Sequence, residues 1–168
     1  MNDSYVELLV KRKRQITAVM AQAVLMVLGI ISACLFLLTA NVILFLATIL
    51  FGGLVFLIRY NTIVEFEYLL VEKELSIDKI KCRSGRKKVA EYDLTNLEIL
   101  APVSSHQLDA YRDRRDIKTR DFSTGEKNDT TYALVIRTGG AIEKVLLACT
   151  DDFLNHISRF APRKVFKD

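Results

Sequence analysis

Few side chains in this sequence have the types and spacing that chemistry requires. Two histidines, His106 and His156, and three cysteines, Cys34, Cys82 and Cys149, are the candidate nucleophiles and soft metal ligands. A structural zinc site takes four such ligands at close spacing. Neither histidine has a cysteine or a second histidine nearby, so no metal is expected, and His156 reads as an exposed helix residue. An odd number of cysteines without paired spacing fits reduced thiols, not a disulfide framework. Ser104-Ser105-His106 sets hydroxyls beside an imidazole, but a Ser–His catalyst needs a base oriented by a third group and an oxyanion site. Adjacent loop residues supply neither. Asp151-Asp152 is a carboxylate pair that, behind Thr150, reads as the acidic first turn of a capped helix. Gly139-Gly140 lies between two strand-like runs and is a hairpin turn, not a phosphate loop. No catalytic residue, metal or cofactor follows, and the chain reads as non-enzymatic.

The basic residues offer a different chemistry. Lys79, Lys81 and Arg83 recur every second residue, which puts them on one face of a regular strand. Arg86, Lys87 and Lys88 follow across a turn. These six cations are candidate lipid contacts, each worth about 1 kcal/mol beside an anionic surface; a solvated face is the plain alternative. The tail Arg163-Lys164-Val165-Phe166-Lys167 allows the same two readings.

What must position these residues follows from composition. The chain has 168 residues, 51% of them hydrophobic and 26% charged, with a mean hydropathy of +0.20. The charged share is that of an ordinary soluble protein, so the apolar share is concentrated. Residues 1–60 carry five basic and two acidic side chains; residues 61–168 carry nineteen and eighteen. That near-neutral second part excludes a nucleic-acid binder with a strong basic field. No charged residue lies between Arg14 and Arg59.

The uncharged run from Gln15 to Ile58 is twice too long for one crossing, since a single helix would reach about 66 Å against a hydrocarbon core of about 30 Å. The polar cluster Thr39-Ala40-Asn41 supplies the break. A transmembrane hairpin over 15–60 is therefore expected, with spans of about 16–38 and 42–58. Lys11, Arg12, Lys13 and Arg14 precede it, Arg59 follows it, and the turn is uncharged. These determinants place both termini in the cytoplasm and make the chain a two-span protein of the cell membrane. Tyr60 suits an interfacial anchor. Gly29, Ala33, Gly52 and Gly53 are candidate helix-packing positions, where small residues let backbones approach. No ionisable group lies within the spans, which argues against an ion or substrate pathway through this hairpin. A basic start before an apolar run also suits a signal peptide, but this run is too long. Ile31-Ser32-Ala33-Cys34 is a permissive match to a lipoprotein cleavage box, with Cys34 as the lipidated residue. Ahead of the spans, Ser4-Tyr5-Val6-Glu7 fits a capping box, so residues 1–14 are read as an interfacial helix.

From residue 61 the period changes to that of strands. Val64, Phe66, Tyr68 and Leu70 alternate with Glu65 and Glu67. Further strands are expected over 75–82, 88–93, 97–103, 117–122, 130–138 and 141–149, with Pro102 marking an edge or exit. Residues 104–115 read as a loop with one helical turn. Thr150 caps a helix over 150–161, in which Phe153, Ile157 and Phe160 form one apolar stripe, and Pro162 ends it.

Seven strands and a closing helix, carried by the hairpin Tyr68-Leu69-Leu70-Val71-Glu72-Lys73-Glu74-Leu75-Ser76-Ile77 and by Tyr92-Asp93-Leu94 to Leu97-Glu98-Ile99, resemble a pleckstrin-homology-like (PH-like) domain. The whole chain resembles small bacterial membrane proteins with two transmembrane helices and a cytoplasmic PH-like domain. The resemblance implies an α+β domain over 61–168, a seven-stranded antiparallel barrel capped by the C-terminal helix. It also likens Lys79-x-Lys81-x-Arg83 to the phosphoinositide-binding pattern of pleckstrin domains, although here that pattern sits on the second hairpin. The expected function is a membrane-anchored binding or scaffold protein, with membrane lipids and a protein as partners. The alternative is an accessory subunit docked through its hairpin.

Overall fold

In the computed structural model, which describes residues 5–81, 85–112, 114, 116–126 and 130–167, the uncharged run forms helices α1 (Ile16–Thr39) and α2 (Val42–Thr62). Both are long and apolar enough to cross a membrane, with a mean hydropathy of 2.5. Almost none of either surface is buried within the protein, so neither is the core helix of a water-soluble domain. The break falls where the polar cluster lies. Ala40 takes the left-handed conformation at φ 51°, and its N–H closes α1 onto the Phe36 carbonyl. The Asn41 side chain then caps α2 by accepting from the Ile43 N–H at 2.9 Å. Such caps satisfy backbone groups that the helix itself leaves open. α2 runs past Arg59, and Asn61 and Thr62 bond back to the carbonyls of Leu57 and Ile58. The two helices hold each other through a hydroxyl pair, Ser32 to Thr48 at 2.9 Å, and through Phe36 and Phe45, with ring centroids 5.2 Å apart.

The remaining chain forms a second unit, made of two four-stranded sheets. The first has strand order β1 (Tyr5–Lys11), β2 (Val64–Val71), β3 (Glu74–Lys81), β4 (Gly85–Asp93). The second has order β5 (Leu97–Pro102), β7 (Thr131–Thr138), β8 (Ala141–Ala148), β6 (Lys118–Asp121). β6 runs parallel to β8, while β5–β7 and β7–β8 are antiparallel.

Two expectations are corrected here. The segment before α1 is a strand, not an interfacial helix. It pairs antiparallel with β2 from Tyr5↔Val71 to Lys11↔Glu65. Its sequence YVELLVK is rich in β-branched and aromatic residues, and exposed Tyr5, Glu7 and Leu9 alternate with more buried Val6, Leu8 and Val10. That period-2 pattern belongs to a half-buried strand. The second correction follows: the described residues contain eight strands in two open sheets, not a seven-stranded closed barrel.

The core lies where Phe66, Tyr68 and Leu70 of β2 and Leu75 and Ile77 of β3 meet Leu134, Ile136, Val145 and Leu147 of the second sheet, all buried. The Tyr68 hydroxyl ties them together. It donates to the Phe122 carbonyl at 2.7 Å and accepts from the Ala148 N–H at 3.3 Å. Helix α4 (Asp151–Phe160) sets Phe153, Leu154 and Ile157 into this core. Its N-terminus is capped as expected, by Thr150 accepting from the Phe153 N–H. His156 corrects an expectation: it is buried, edge-on to Phe160 with centroids 5.6 Å apart.

β7 is buried on both faces because the second sheet is covered twice. Ile99, Ala101, Ala133 and Val135 form a second cluster on its other side under Leu108. Leu108 ends a single 3-10 turn (His106–Leu108), which leads into the short helix α3 (Asp109–Arg112). Both lie in the stretch read as a loop. The two-residue β7–β8 turn needs positive φ at Gly139 (58°) and Gly140 (88°), which glycine adopts at no steric cost. The tail does not stand apart from the domain. Val165 bridges Leu100 of edge strand β5, through Leu100 N–H to the Lys164 carbonyl and Phe166 N–H to the Leu100 carbonyl, both 2.8 Å.

Candidate functional site

The basic hairpin is the site to which the sequence points most directly, and the fold divides its members. Arg83 and Cys82 lie outside the described residues. Lys79 and Lys81 share the strand parity of Leu75 and Ile77, continuing the core face of β3, and both are half-buried. Arg86 is engaged on the opposite face. Its guanidinium pairs with Glu67, whose side chain is only 8% exposed, and stands 3.9 Å from Asp78. Burial, then its hydrogen bond to Glu7, pushes the Glu67 carboxyl up. Hydrogen bonds from Tyr5 and then Glu67 hold Glu7 down. Lys88 pairs with Glu91 at 2.9 Å. Lys87 is exposed. Arg86 and Lys88 therefore meet internal carboxylates before any outside anion.

The basic cluster before α1 is also built into the domain. The Arg12 guanidinium donates to the Asp121 carboxylate at 3.1 Å and to its carbonyl at 3.2 Å, and lies 6.0 Å from the Phe66 ring centroid. The Lys13 ammonium pairs with Glu126, and the Lys13 backbone N–H donates to the Thr124 carbonyl at 2.8 Å. Lys11 and Arg14 are exposed, as is Arg59 in the last turn of α2.

Of the packing candidates, Gly29 lies on the helix–helix seam, where an added Cβ would sit 3.5 Å from the Phe51 Cβ. Ala33 is half-buried beside Ser32. Gly52 and Gly53 are exposed, with nothing within 4 Å of an added Cβ. They face away from α1, so the close approach within the hairpin belongs to Gly29. Tyr60 stacks on Phe56, one turn back, with centroids 6.5 Å apart.

The residues whose types suggest catalysis have structural surroundings. The Ser105 hydroxyl caps the 3-10 turn by accepting from the Gln107 N–H. His106 is fully exposed, 3.4 Å from Asp109. Cys149 is buried, which pushes its thiol up and away from the reactive thiolate. Cys34 is exposed on α1.

One feature left no mark in the sequence. A cleft of about 640 Å3 opens beside the second sheet, lined by Ser104, Arg112, Asp121, Glu126, Lys144 and Leu146 among others. Its residues come from five separate stretches. Lys144 reads in isolation as one more polar position of β8, so no local signal marks it.

Two open sheets with a C-terminal helix set into the core agree with the match of a family model described as bacterial PH-like domain (DUF6106) over residues 2–167. The chain belongs to the bacterial PH-like domain family. In this PH-like protein the match includes the two apolar helices, which lie between β1 and β2 of the domain. No curated protein and no solved structure matches the chain.

Proposed function

We propose that this PH-like protein is a non-enzymatic binding or scaffold module held at the cytoplasmic face of the membrane by its two-span hairpin. One observation carries the reading: β1 enters α1, β2 leaves α2, and the two strands pair along their length. Segments that share a ladder lie on the same side of a bilayer, so the hairpin crosses and returns. Lys11, Arg12, Lys13 and Arg14 before it and Arg59 after it, against an uncharged turn, favour the cytoplasm as that side. Membrane lipids surround the helices, and exposed Lys87 on β4 is the remaining candidate lipid contact of the basic hairpin. A protein partner is the expected cargo of the folded head.

Cross-linking in intact cells, followed by mass spectrometry of the purified membrane complex, tests this reading. The expected result is a recurrent partner linked to the sheets of the head. A protein made only as a self-contained enzyme, turning over a substrate with no partner, would overturn it. A second reading, an accessory subunit docked through its helices, draws on Gly52 and Gly53. They leave an open, small-residue stretch of α2 that a further helix can approach closely. Replacing Gly52 with Leu is expected to abolish co-purification under that reading and to leave it intact under the first.

A further inference from the structure

The cleft beside the second sheet has a charge arrangement that the fold does not otherwise use. Two carboxylates and two cations line it: Asp121, Glu126, Arg112 and Lys144. Both carboxylates are engaged from outside the cleft by the segment that precedes α1. Asp121 pairs with Arg12 and also accepts from the Ser123 N–H and hydroxyl, while Glu126 pairs with Lys13. Arg112 pairs with Asp109 at 3.1 Å, on its own helix. Lys144 is half-buried and pairs with no carboxylate among the described residues. Its ammonium is pushed down by burial and then by Arg112, so the two cations sense each other across the cleft. Lys144 is recessed beside the Ser104 hydroxyl and against the apolar surface of Pro102, Val103 and Leu146, while exposed Arg112 stands at the rim of the cleft.

We propose that this cleft is a binding site for a small organic dianion, a phosphate monoester, held by Lys144 and Arg112. Two neighbouring cations facing a single cavity repel each other, and a dianion converts that repulsion into attraction. A phosphate monoester carries about −1.5 to −2 charges at neutral pH, which matches the pair, and its three oxygens suit both a guanidinium fork and an ammonium. The volume exceeds that of a bare phosphate ion and leaves room for an organic group on the apolar wall. The ester can be free in solution or can be the headgroup of a phosphatidic acid; the chemistry recognised is the same. The site is independent of the membrane reading, because every lining residue belongs to the folded head.

The test uses the full chain in a neutral detergent, titrated with phenyl phosphate by calorimetry at fixed ionic strength. Saturable binding of one equivalent is expected, weakened at least tenfold in Lys144→Gln and in Arg112→Gln and unchanged in Lys118→Gln. Phenyl phosphate is also expected to raise the melting temperature of the native protein but not that of Lys144→Gln. Lys144→Arg, which keeps the charge, is expected to retain binding, so a folding defect in Lys144→Gln cannot pass for loss of the site. Displacement of phenyl phosphate by phosphatidic acid in mixed micelles would assign the ester to lipid, and its persistence there would assign it to a soluble molecule. No heat beyond that of matched sodium chloride, or equal affinity in Lys144→Gln, overturns the proposal.

Discussion

Tyr68 shows how one side chain can join two layers. Its ring lies in the core, 6.0 Å from that of Phe153, and its hydroxyl meets backbone groups of two segments of the second sheet region. A buried donor or acceptor left unpaired costs about 1–3 kcal/mol. Tyr68→Phe removes the hydroxyl and orphans the Ala148 N–H, so a loss of that size is expected, read as a lower midpoint of thermal unfolding in detergent by near-ultraviolet circular dichroism. The same chemistry sets an alkaline limit. Burial pushes the Tyr68 hydroxyl well above the ordinary phenol range and that of Tyr92 up to about 12. Below pH about 10 both states hold these protons and stability is complete. Above it the unfolded chain ionises while the folded tyrosines do not, so stability falls as pH rises towards 12. Tyr92→Phe should flatten that fall, and an unchanged alkaline slope would contradict the account. Arg86 is the electrostatic counterpart: Arg86→Ala leaves Glu67 covered and without its cation. A loss of about 1–3 kcal/mol is expected, recovered in part by Glu67→Gln in the same chain.

At the scale of elements, the hairpin and the first strand behave differently from what their composition alone suggests. α1 and α2 are apolar all round, which fits lipid on most faces. Their mutual contact is then a matter of shape and a few polar groups. The Ser32 and Thr48 hydroxyls stand 2.9 Å apart; one donates across the seam while the other donates to a carbonyl of its own helix, Gly29 or Leu44. Interhelical bonds of this kind in lipid average about 0.6 kcal/mol. Ser32→Ala is expected to cost about that much, measured by steric-trap or denaturant unfolding in bicelles, while Gly29→Leu costs more because Phe51 stands in its way. The strand period from residue 64 onward and the Thr150 cap were legible because each is a local pattern. β1 was not, because Ser4-Tyr5-Val6-Glu7 satisfies the rules for a helix start and a strand equally well. Pairing with β2, more than fifty residues on, decided between them.

For the whole molecule, the paired strands on either side of the hairpin give the firmest prediction. Reporters fused before Met1 and after Asp168 should both be active only in the cytoplasm. Opposite signals from the two ends would be incompatible with the β1–β2 ladder. Breaking that ladder with Leu8→Pro should free the N-terminal segment, seen as protease cleavage within residues 5–11 in sealed inverted vesicles. It should also expose the β2 edge, which invites aggregation.

The sequence by itself determined the oily hairpin, the position of its break, the strand-rich head and its capped closing helix. Each of these depends on composition or on a period that repeats within a dozen residues. Only the tertiary structure decided that Tyr5–Lys11 completes a sheet, that Arg12 and Lys13 serve the head as well as flank the hairpin, that Arg86 answers a buried carboxyl, and that Lys144 and Arg112 line one cleft. The physical reason is range. Charge pairs and sheet edges join residues that are distant along the chain, and which side chain meets which is fixed only when the strands have found their register.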